Sequence, residues 1–396
     1  MRRGLTAFLA LGALACAAAG CGGSSEDGAA GTTADGGKRF DVGIGISAAL
    51  AGEYAAYDDP MLRGMKFAAE EINESDPDVS VTIESRDNKG DQSLASSTAQ
   101  ELLDGGTKLF VLTTGDASVA QGQLLSAGGA VVTLGGATAP TRIQEIGERA
   151  FLVAFGDNVQ ASAMAAHACE KGYKTAYTLG SAEHPFTGPT PGYFAEAFAE
   201  LCDGEVVGRD VFKIGQTDFG PQVTKIVNLP EEPDAIFTPM FVPDSGVFLK
   251  ALRGNGVRSA YLGLDGNDSP LYAKAGGTAV DGSVYTTHAF AADGNAMARF
   301  VDAFEQRTGA APESVFEALG RDHVYAYVQA VKDAGSTDPD KLIEAMKGLT
   351  DVELVTGALT MDPETRVPRK AVTLVEMDGT TPTFLSTVTP EFIAAP

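Results

Sequence analysis

Positive charge is scarce in this sequence. Its 29 lysines and arginines stand against 53 aspartates and glutamates, which gives a formal net charge of −24 over 396 residues. Proteins that bind nucleic acid neutralise phosphates with lysine and arginine, so a balance of this sign argues against a nucleic-acid partner. It also disfavours docking on anionic lipid through the protein's own surface. We interpret the acidic surplus as a solvated, soluble exterior.

The motifs of catalysis and of metal binding are missing as well. None of the four histidines stands at a zinc-ligand spacing or in an HExxH motif. There is no GxxxxGK[ST] loop and no GxSxG elbow, and the glycines of GIGISA at 43–48 lie inside a predicted strand rather than at the start of a helix. We therefore expect no metal, no cofactor and no catalysis, and we favour a binding protein over an enzyme.

The N-terminus is not predicted to belong to the fold. Residues 1–20 have two arginines, an apolar stretch and small residues, which indicates a signal peptide that is too short and alanine-rich for a transmembrane helix. Residues 21–38 are rich in glycine, serine, alanine and threonine and predict a flexible tether. The stretch AAGC resembles a bacterial lipobox, which implies a lipid on Cys21. Cys16 is a competing site, and cleavage to a free secreted protein is the alternative.

Two further cysteines, Cys169 and Cys202, fall near the ends of predicted helices. In an oxidising compartment they could form a disulfide, which would stabilise the fold by closing a loop of the unfolded chain. Two separate buried thiols are the alternative.

From Arg39 onward, apolar strands alternate with amphipathic helices. RFDVGIGISA, VSVTIESRD, LFVLTT and AVVTL predict strands, and the rhythm restarts over roughly 156–288 with TAYTLG, EVVGRDVF, AIFTPM and AYLGLDG. The tail from 358 to 388 predicts a β-hairpin with its turn at MDG. A chain of this length exceeds one compact core. The fold class is therefore α/β, with two doubly wound domains built on parallel sheets.

Two such domains leave a crevice between them, and ligands of open α/β sheets bind outside the carboxyl ends of the strands. TLGGATAP at 133–140 lies at such a strand end, where backbone N–H groups and the Thr138 hydroxyl can donate to a carboxylate. Asp265, in LGLDGND, is placed to pair with an ammonium group across the crevice. Together with an apolar pocket, these features describe a site for an α-amino acid.

The chain resembles the solute-binding proteins of ATP-driven amino-acid importers, in particular the leucine/isoleucine/valine-binding branch. The stretches that carry the resemblance keep their order from about Phe40 to Phe392: ALAGEYAAYDDPMLRGMKFAAEEIN, RDNKGD, TLGGATAP, FTGPTPGYFAEAF, GQTDFGPQVTKI, LGLDGNDSP and ALGRDHVYAYVQAV. It implies the type I periplasmic-binding fold, in which two Rossmann-like domains are joined by a three-strand hinge.

The resemblance also implies limits for these domains. The first ligand-binding domain takes residues 39–155 plus 289–356, and the second takes 156–288 plus 357–396. The hinge crossings are expected near Phe155–Gly156, Thr287–His288 and Thr356–Gly357.

Site residues in the first domain follow from the family's xATxP loop. There a threonine and a neighbouring backbone carbonyl hold the amino acid, which points to Thr138 with Gly136 and Ala137. A serine that usually helps to bind the carboxylate aligns with Gly115, of which only the N–H could serve, and Ser118 lies close by.

The remaining site residues come mostly from the second domain. The carboxylate that binds the ammonium group in the family points to Asp265, and the aromatic cap of the pocket matches Tyr57 of the first domain. Phe186 and Phe241 match two cleft aromatics, and His184 is a further candidate for the cleft wall. Structural roles are the alternatives: a loop residue that bonds its own backbone for Thr138, a turn cap for Asp265 and simple core packing for the aromatics.

These features predict an extracytoplasmic, lipid-anchored and monomeric protein that closes on a small amino acid and docks on an ABC permease. A binder of an amide, of urea or of an aromatic carboxylate is one alternative. A sensory receptor domain is another, and a secreted hydrolase would require a nucleophile with a base in the cleft.

Overall fold

The computed structural model describes residues 39–52, 54–113, 118–136, 138 and 140–396. The predicted signal peptide, the tether and the lipid site Cys21 lie outside the described residues, as do Gly115 and Ala137. Residues 39–396 form one compact unit. The predicted domain limits within that unit stay a prediction.

A five-stranded parallel sheet forms the first half of this unit, in the order β2-β1-β3-β4-β5. β3 and β4 are short apolar runs whose residues are all buried, as expected for a parallel sheet covered on both faces. The elements are β1 (Phe40–Ala48), α1 (Ala55–Ser75), β2 (Val79–Asp87), α2 (Gln92–Asp104), β3 (Leu109–Leu112), α3 (Ser118–Ala127), β4 (Val131–Leu134), α4 (Pro140–Ile146) and β5 (Ala150–Leu152).

A seven-stranded sheet forms the second half, in the order β12-β11-β10-β9-β8-β6-β7. Strands β6 to β10 are parallel, and the hairpin β11–β12 joins antiparallel to β10. The elements are α5 (Asp157–Glu170), β6 (Thr175–Gly180), α6 (Thr190–Cys202), β7 (Glu205–Val211), α7 (Gly220–Val227), β8 (Ala235–Phe237), α8 (Asp244–Gly254), β9 (Ala260–Leu262), α9 (Pro270–Gly276), β10 (Val284–Thr287), α10 (Ala296–Thr308), α11 (Phe316–Ala334), α12 (Pro339–Lys347), β11 (Val372–Asp378) and β12 (Thr381–Val388).

The α/β class, the two sheets and the C-terminal hairpin are thus confirmed. Two predicted strands of the second sheet are clearly shorter than expected: AIFTPM was predicted to be extended to Met240, but β8 ends at Phe237, and AYLGLDG was predicted to be extended to Gly266, but β9 ends at Leu262. Residues Asp265–Asn267 form a single 3₁₀ turn in which the Asn267 N–H donates to the Leu264 carbonyl at 2.9 Å. Asp265 therefore begins a helical turn instead of ending a strand.

The two cysteines at helix ends are joined. Cys169 in α5 and Cys202 in α6 form a disulfide in the structure, and their Cα atoms lie 5.7 Å apart. It links the C-terminal ends of two neighbouring helices that cover the second sheet.

No helix within the part of the chain that the structure describes is both long enough and apolar enough to span a membrane.

Helices α1 and α11 approach each other closely through two glycines. A Cβ on Gly64 would lie 1.8 Å from the Glu317 carbonyl oxygen, and a Cβ on Gly320 would lie 2.1 Å from the Met61 carbonyl oxygen. Because both obstacles are backbone atoms, neither can move without displacing a helix. Glycine is therefore required at these two positions by the distance between the helices.

We predict that Gly64→Ala lowers the free energy of unfolding by about 2–4 kcal/mol, because the added methyl group overpacks a helix contact. Urea unfolding followed by circular dichroism measures the loss. The matched control is Gly192→Ala in α6, where an added Cβ meets no atom within 4 Å. That control should be neutral or more stable, by up to about 1 kcal/mol. Equal stabilities of the two variants would contradict the packing argument.

Candidate functional site

A cavity of about 40 Å³ lies where the carboxyl-end loops of the two sheets come together, and we call it the cleft. Parallel strands collect such loops at one edge of a sheet, so both sheets contribute to its wall. The wall consists of Tyr57, Thr113, Leu134, Gly135, Gly136, Thr138, Arg142, His184, Phe186, Phe241, Asp265, Gly266 and Phe316.

Most of the predicted ligand-binding residues meet in this cleft. Those in its wall are Tyr57, Gly136, Thr138, Phe186, Phe241 and Asp265. Gly115, Ala137 and the side chain of Ser118 lie outside the described residues. Positions 138 and 265, which come from different sheets, therefore face one shared space, while their roles toward a ligand stay predictions.

The loop after β4 is held by the protein's own backbone. The Gly135 N–H donates to the Leu112 carbonyl at 2.7 Å, and a Cβ on Gly135 would lie 2.5 Å from that oxygen. This glycine is therefore required by packing, and its N–H is already used. Thr138, 6% exposed, accepts a 2.9 Å hydrogen bond from the Asp157 N–H through its carbonyl. The Thr138 backbone thus fixes the loop against the start of α5.

Asp265 is buried and has protein partners at both carboxylate oxygens. Its Oδ1 accepts from Gln160 Nε2 at 3.0 Å, and its Oδ2 lies 3.1 Å from His288 Nε2. Gln160 is itself fixed, because its Oε1 accepts a 2.7 Å hydrogen bond from the Thr286 hydroxyl. A carboxylate has about four acceptor positions, so an ammonium group can still approach Asp265.

A second carboxyl group, Asp157, lies next to this network. Gln160 Nε2 also donates to Asp157 Oδ1 at 3.1 Å. Burial raises the pKa of Asp157 well above its ordinary value and the charge of Asp265 raises it further, although the Gln160 hydrogen bond and the Arg142 charge oppose the shift. Asp157 therefore keeps its proton more readily than an ordinary aspartate.

Aromatic rings form the apolar wall of the cleft. Phe241 is central: its ring centroid lies 5.0 Å from that of His184, 5.2 Å from that of Phe186 and 5.5 Å from that of Tyr57. Phe316 of α11 lies 5.2 Å from Tyr57 on the other side. The cluster provides apolar surface for a ligand body with few hydroxyl groups.

Tyr57 also joins the two sides of the cleft directly. Its hydroxyl donates to the Gly266 carbonyl at 2.8 Å and accepts from the Val242 N–H at 3.0 Å. Both partners belong to loops of the second sheet, whereas Tyr57 lies in α1. The hydroxyl of Tyr57 therefore bonds with the opposite loops, while its capping role toward a ligand stays a prediction.

Sequence reasoning missed two charged or aromatic members of the wall. Arg142, 8% exposed, lies in α4. The proline at the start of this helix, Pro140, could have predicted from the sequence that Arg142 lies one helical turn beyond Thr138. Phe316 comes from a distant segment, and no local pattern connects it with the cleft. A guanidinium has five N–H donors, so Arg142 can hold a ligand carboxylate as well as protein partners.

Comparison with known proteins gives one family and several relatives. The sequence pattern of the family described as "Periplasmic binding protein" matches residues 41–382. A curated relative, "Leu/Ile/Val-binding protein homolog 3" of Brucella melitensis, is 26% identical over 333 residues, which cover 81% of this chain and 87% of the relative.

Solved structures share the fold. The leucine binding protein LivK from Thermotoga maritima superposes with a TM-score of 0.80 at 23% identity, over 88% of this chain and 99% of that protein. A solute binding protein of an ABC transporter from R. palustris, in complex with benzoate, superposes with a TM-score of 0.77 at 19% identity, over 89% and 97% of the two chains.

We predict that Tyr57→Phe increases the population in which the two sides of the cleft are apart, because the variant loses both hydrogen bonds across it. The lost bonds correspond to about 1–3 kcal/mol. Small-angle scattering of the purified protein should show a larger radius of gyration. The control is Tyr327→Phe, which loses hydrogen bonds to Phe110 and Val131 within the first sheet. It should lower stability without changing the radius, and the same radius for Tyr57→Phe and the wild type would contradict the prediction.

Asp268 gives a pH-dependent prediction. Burial raises its pKa to about 7 against the hydrogen bond from Thr287, and the charges of Glu317 and Asp265 add to the rise. Between pH 4 and 7 the folded protein therefore binds the Asp268 proton more tightly than the unfolded chain does. The part of the unfolding free energy that this proton contributes is lost as the pH rises toward 7.

The Asp268→Asn variant lacks this titration. We expect its unfolding free energy, relative to the wild type, to increase by on the order of 3 kcal/mol from pH 4 to pH 7. Urea unfolding at both pH values measures this difference, from which the titrations common to both proteins cancel. A constant difference would show that Asp268 titrates normally.

Proposed function

Because the chain belongs to the periplasmic binding protein family, we propose that it is the solute-binding component of an ABC importer and that it binds a small apolar amino acid in the cleft. It has the type I periplasmic binding protein fold, and the family implies a location outside the cytoplasm. The shared cleft of Thr138 and Asp265 carries the proposal. We also propose that a lipid on Cys21 anchors the protein to the membrane and that the protein docks on the permease as a monomer.

The cleft offers a partner for each part of an amino acid. The Thr138 hydroxyl and the Arg142 guanidinium supply donors for the carboxylate, and Asp265 supplies the opposite charge for the ammonium group. The rings of Phe186 and Phe241 supply the apolar surface for the side chain. Two charges leave water on binding, and only paired hydrogen bonds on both sides offset that desolvation.

The volume of the cleft implies movement. About 40 Å³ accommodates a few water molecules, and the Tyr57 hydroxyl closes the two sides of the cleft with two hydrogen bonds. A ligand therefore enters when the two sides separate, and the chain then closes on it by bending at the predicted hinge crossings. Turnover has no part in this proposal.

A carboxylate without an ammonium group is the second candidate ligand. It is favoured by the protein partners that already hold both oxygens of Asp265, and by the buried cation Arg142 in the wall. The fold relative from R. palustris was solved with benzoate. On this reading Asp265 organises the wall and does not contact the ligand.

Isothermal titration with matched ligands separates the two candidates. Leucine and 4-methylpentanoate share a carboxylate and a branched body, and only leucine has the ammonium group. For an amino-acid binder we expect leucine, isoleucine or valine to bind and 4-methylpentanoate to fail. Asp265→Asn should then weaken leucine binding at least about 30-fold, since breaking a buried charge pair costs about 2–5 kcal/mol.

The control is Arg142→Met, which should weaken every carboxylate ligand. If 4-methylpentanoate or benzoate binds while leucine does not, and Asp265→Asn leaves that affinity unchanged, the amino-acid proposal is wrong and the second candidate replaces it. If no amino acid and no carboxylate binds, both fail.

A further inference from the structure

A second cavity lies among the segments predicted to cross between the two domains. Its volume is about 350 Å³, within the usual range of small-molecule sites. We call it the crossover cavity. It is lined by residues 288–290, 295–297, 355–358 and 369–371, together with Thr373, Phe384 and Thr387.

The charge of this cavity is opposite to that of the protein. Lys370 and Arg369 contribute to its wall, and no aspartate or glutamate does so among the described residues, although the chain carries a net charge of −24. Such a local reversal favours an anionic occupant.

Lys370 is the buried cation of the wall, at 8% exposure. Its Nζ donates to the Thr356 hydroxyl at 2.8 Å, and the same hydroxyl donates to Asp322 Oδ2 at 2.6 Å. No carboxylate oxygen of the described residues lies within the 4 Å ion-pair distance of Nζ. An ammonium group has three N–H donors, so two remain for another partner. Burial lowers the pKa of Lys370 to about 8, although the charge of Asp322 opposes the shift, and a bound anion would stabilise the charged form.

Part of the remaining wall is apolar. The rings of Phe290 and Phe384 lie 6.4 Å apart, and Phe384 is half exposed although it is a large aromatic residue. Met297 and several alanines extend this surface. An apolar floor beside a buried cation suits an organic anion better than an inorganic one.

His288 connects this cavity with the cleft. It belongs to the wall of the crossover cavity, while its Nε2 contacts Asp265 in the cleft. Its ring stacks on Phe155 at 4.1 Å, which ties it to another predicted crossing segment. The buried His288 Nδ1 has no hydrogen-bond partner in the described part of the chain. A change around His288 therefore reaches the carboxylate of the cleft through one side chain.

We propose that the crossover cavity is a second ligand site, which binds a small organic carboxylate with an apolar body through Lys370. Where the proposed function of the cleft holds, occupancy of this site changes the affinity of the cleft for its solute, because both sites share His288. The coupling is reciprocal by thermodynamic linkage.

A single tryptophan reports on this cavity without background, because the chain has none. In the full mature chain carrying Phe384→Trp, titration with benzoate should give a saturable fluorescence change, and the matched neutral probe benzamide should give none. Lys370→Met in this background should weaken benzoate at least about tenfold, which corresponds to 1.4 kcal/mol. Arg369→Gln changes an exposed residue without risk to folding and should weaken benzoate about two- to fivefold by removing the second positive charge.

Three outcomes overturn the site: no saturable response to benzoate, an equal response to benzamide, or an unchanged benzoate affinity in both charge variants. A response that vanishes with Arg142→Met and persists with Lys370→Met would place benzoate in the cleft, which also overturns it. The site is thus tested independently of whether the cleft binds amino acids.

The effector role is tested by measuring the affinity of the cleft for its ligand with and without saturating benzoate. We expect this affinity to change at least threefold, and an unchanged affinity overturns the effector role.

Discussion

The buried carboxylate of Asp265 is the constraint around which the cleft is built. A charge at 5% exposure costs several kcal/mol unless hydrogen bonds replace its water, and here Gln160 and His288 supply them. Gln160 belongs to α5, directly after the first predicted crossing, and His288 lies at the second. Residues next to two of the predicted crossings therefore orient the cleft anion.

Direct polar contacts hold the two sides of the cleft together. The Tyr57 hydroxyl bonds with Gly266 and Val242 of the opposite loops, and the surrounding rings close most of the remaining space. A solute must therefore offer contacts that exceed those the protein already makes across the cleft. This requirement favours a ligand with both an apolar body and a charged group, because either part alone replaces only some of the contacts that are lost.

Much of the fold and part of the cleft could be read from local patterns. Alternating apolar runs and amphipathic stretches predict the strands of both sheets, and Thr138 and Asp265 follow from their places at strand ends. Phe186 and Phe241 were predicted only from the resemblance to the solute-binding family. The local patterns did not predict which contacts hold these residues in place. Gly135 is fixed by the Leu112 carbonyl, and Asp265 begins a 3₁₀ turn where a strand was expected. Phe316 reaches the cleft from α11, a contact that no local pattern contains.

Local patterns were enough to predict the α/β class, the order of the elements and the edge of each sheet where side chains for binding collect, because the hydrophobic period and the strand direction are local properties of the chain. Three facts required the folded structure: Arg142 lines the cleft, Gln160 and His288 hold Asp265, and Lys370 lies in a second cavity whose described wall residues include no aspartate or glutamate. These facts depend on which distant segments pack together, and the charge and hydration of a side chain follow from that packing rather than from its neighbours in sequence.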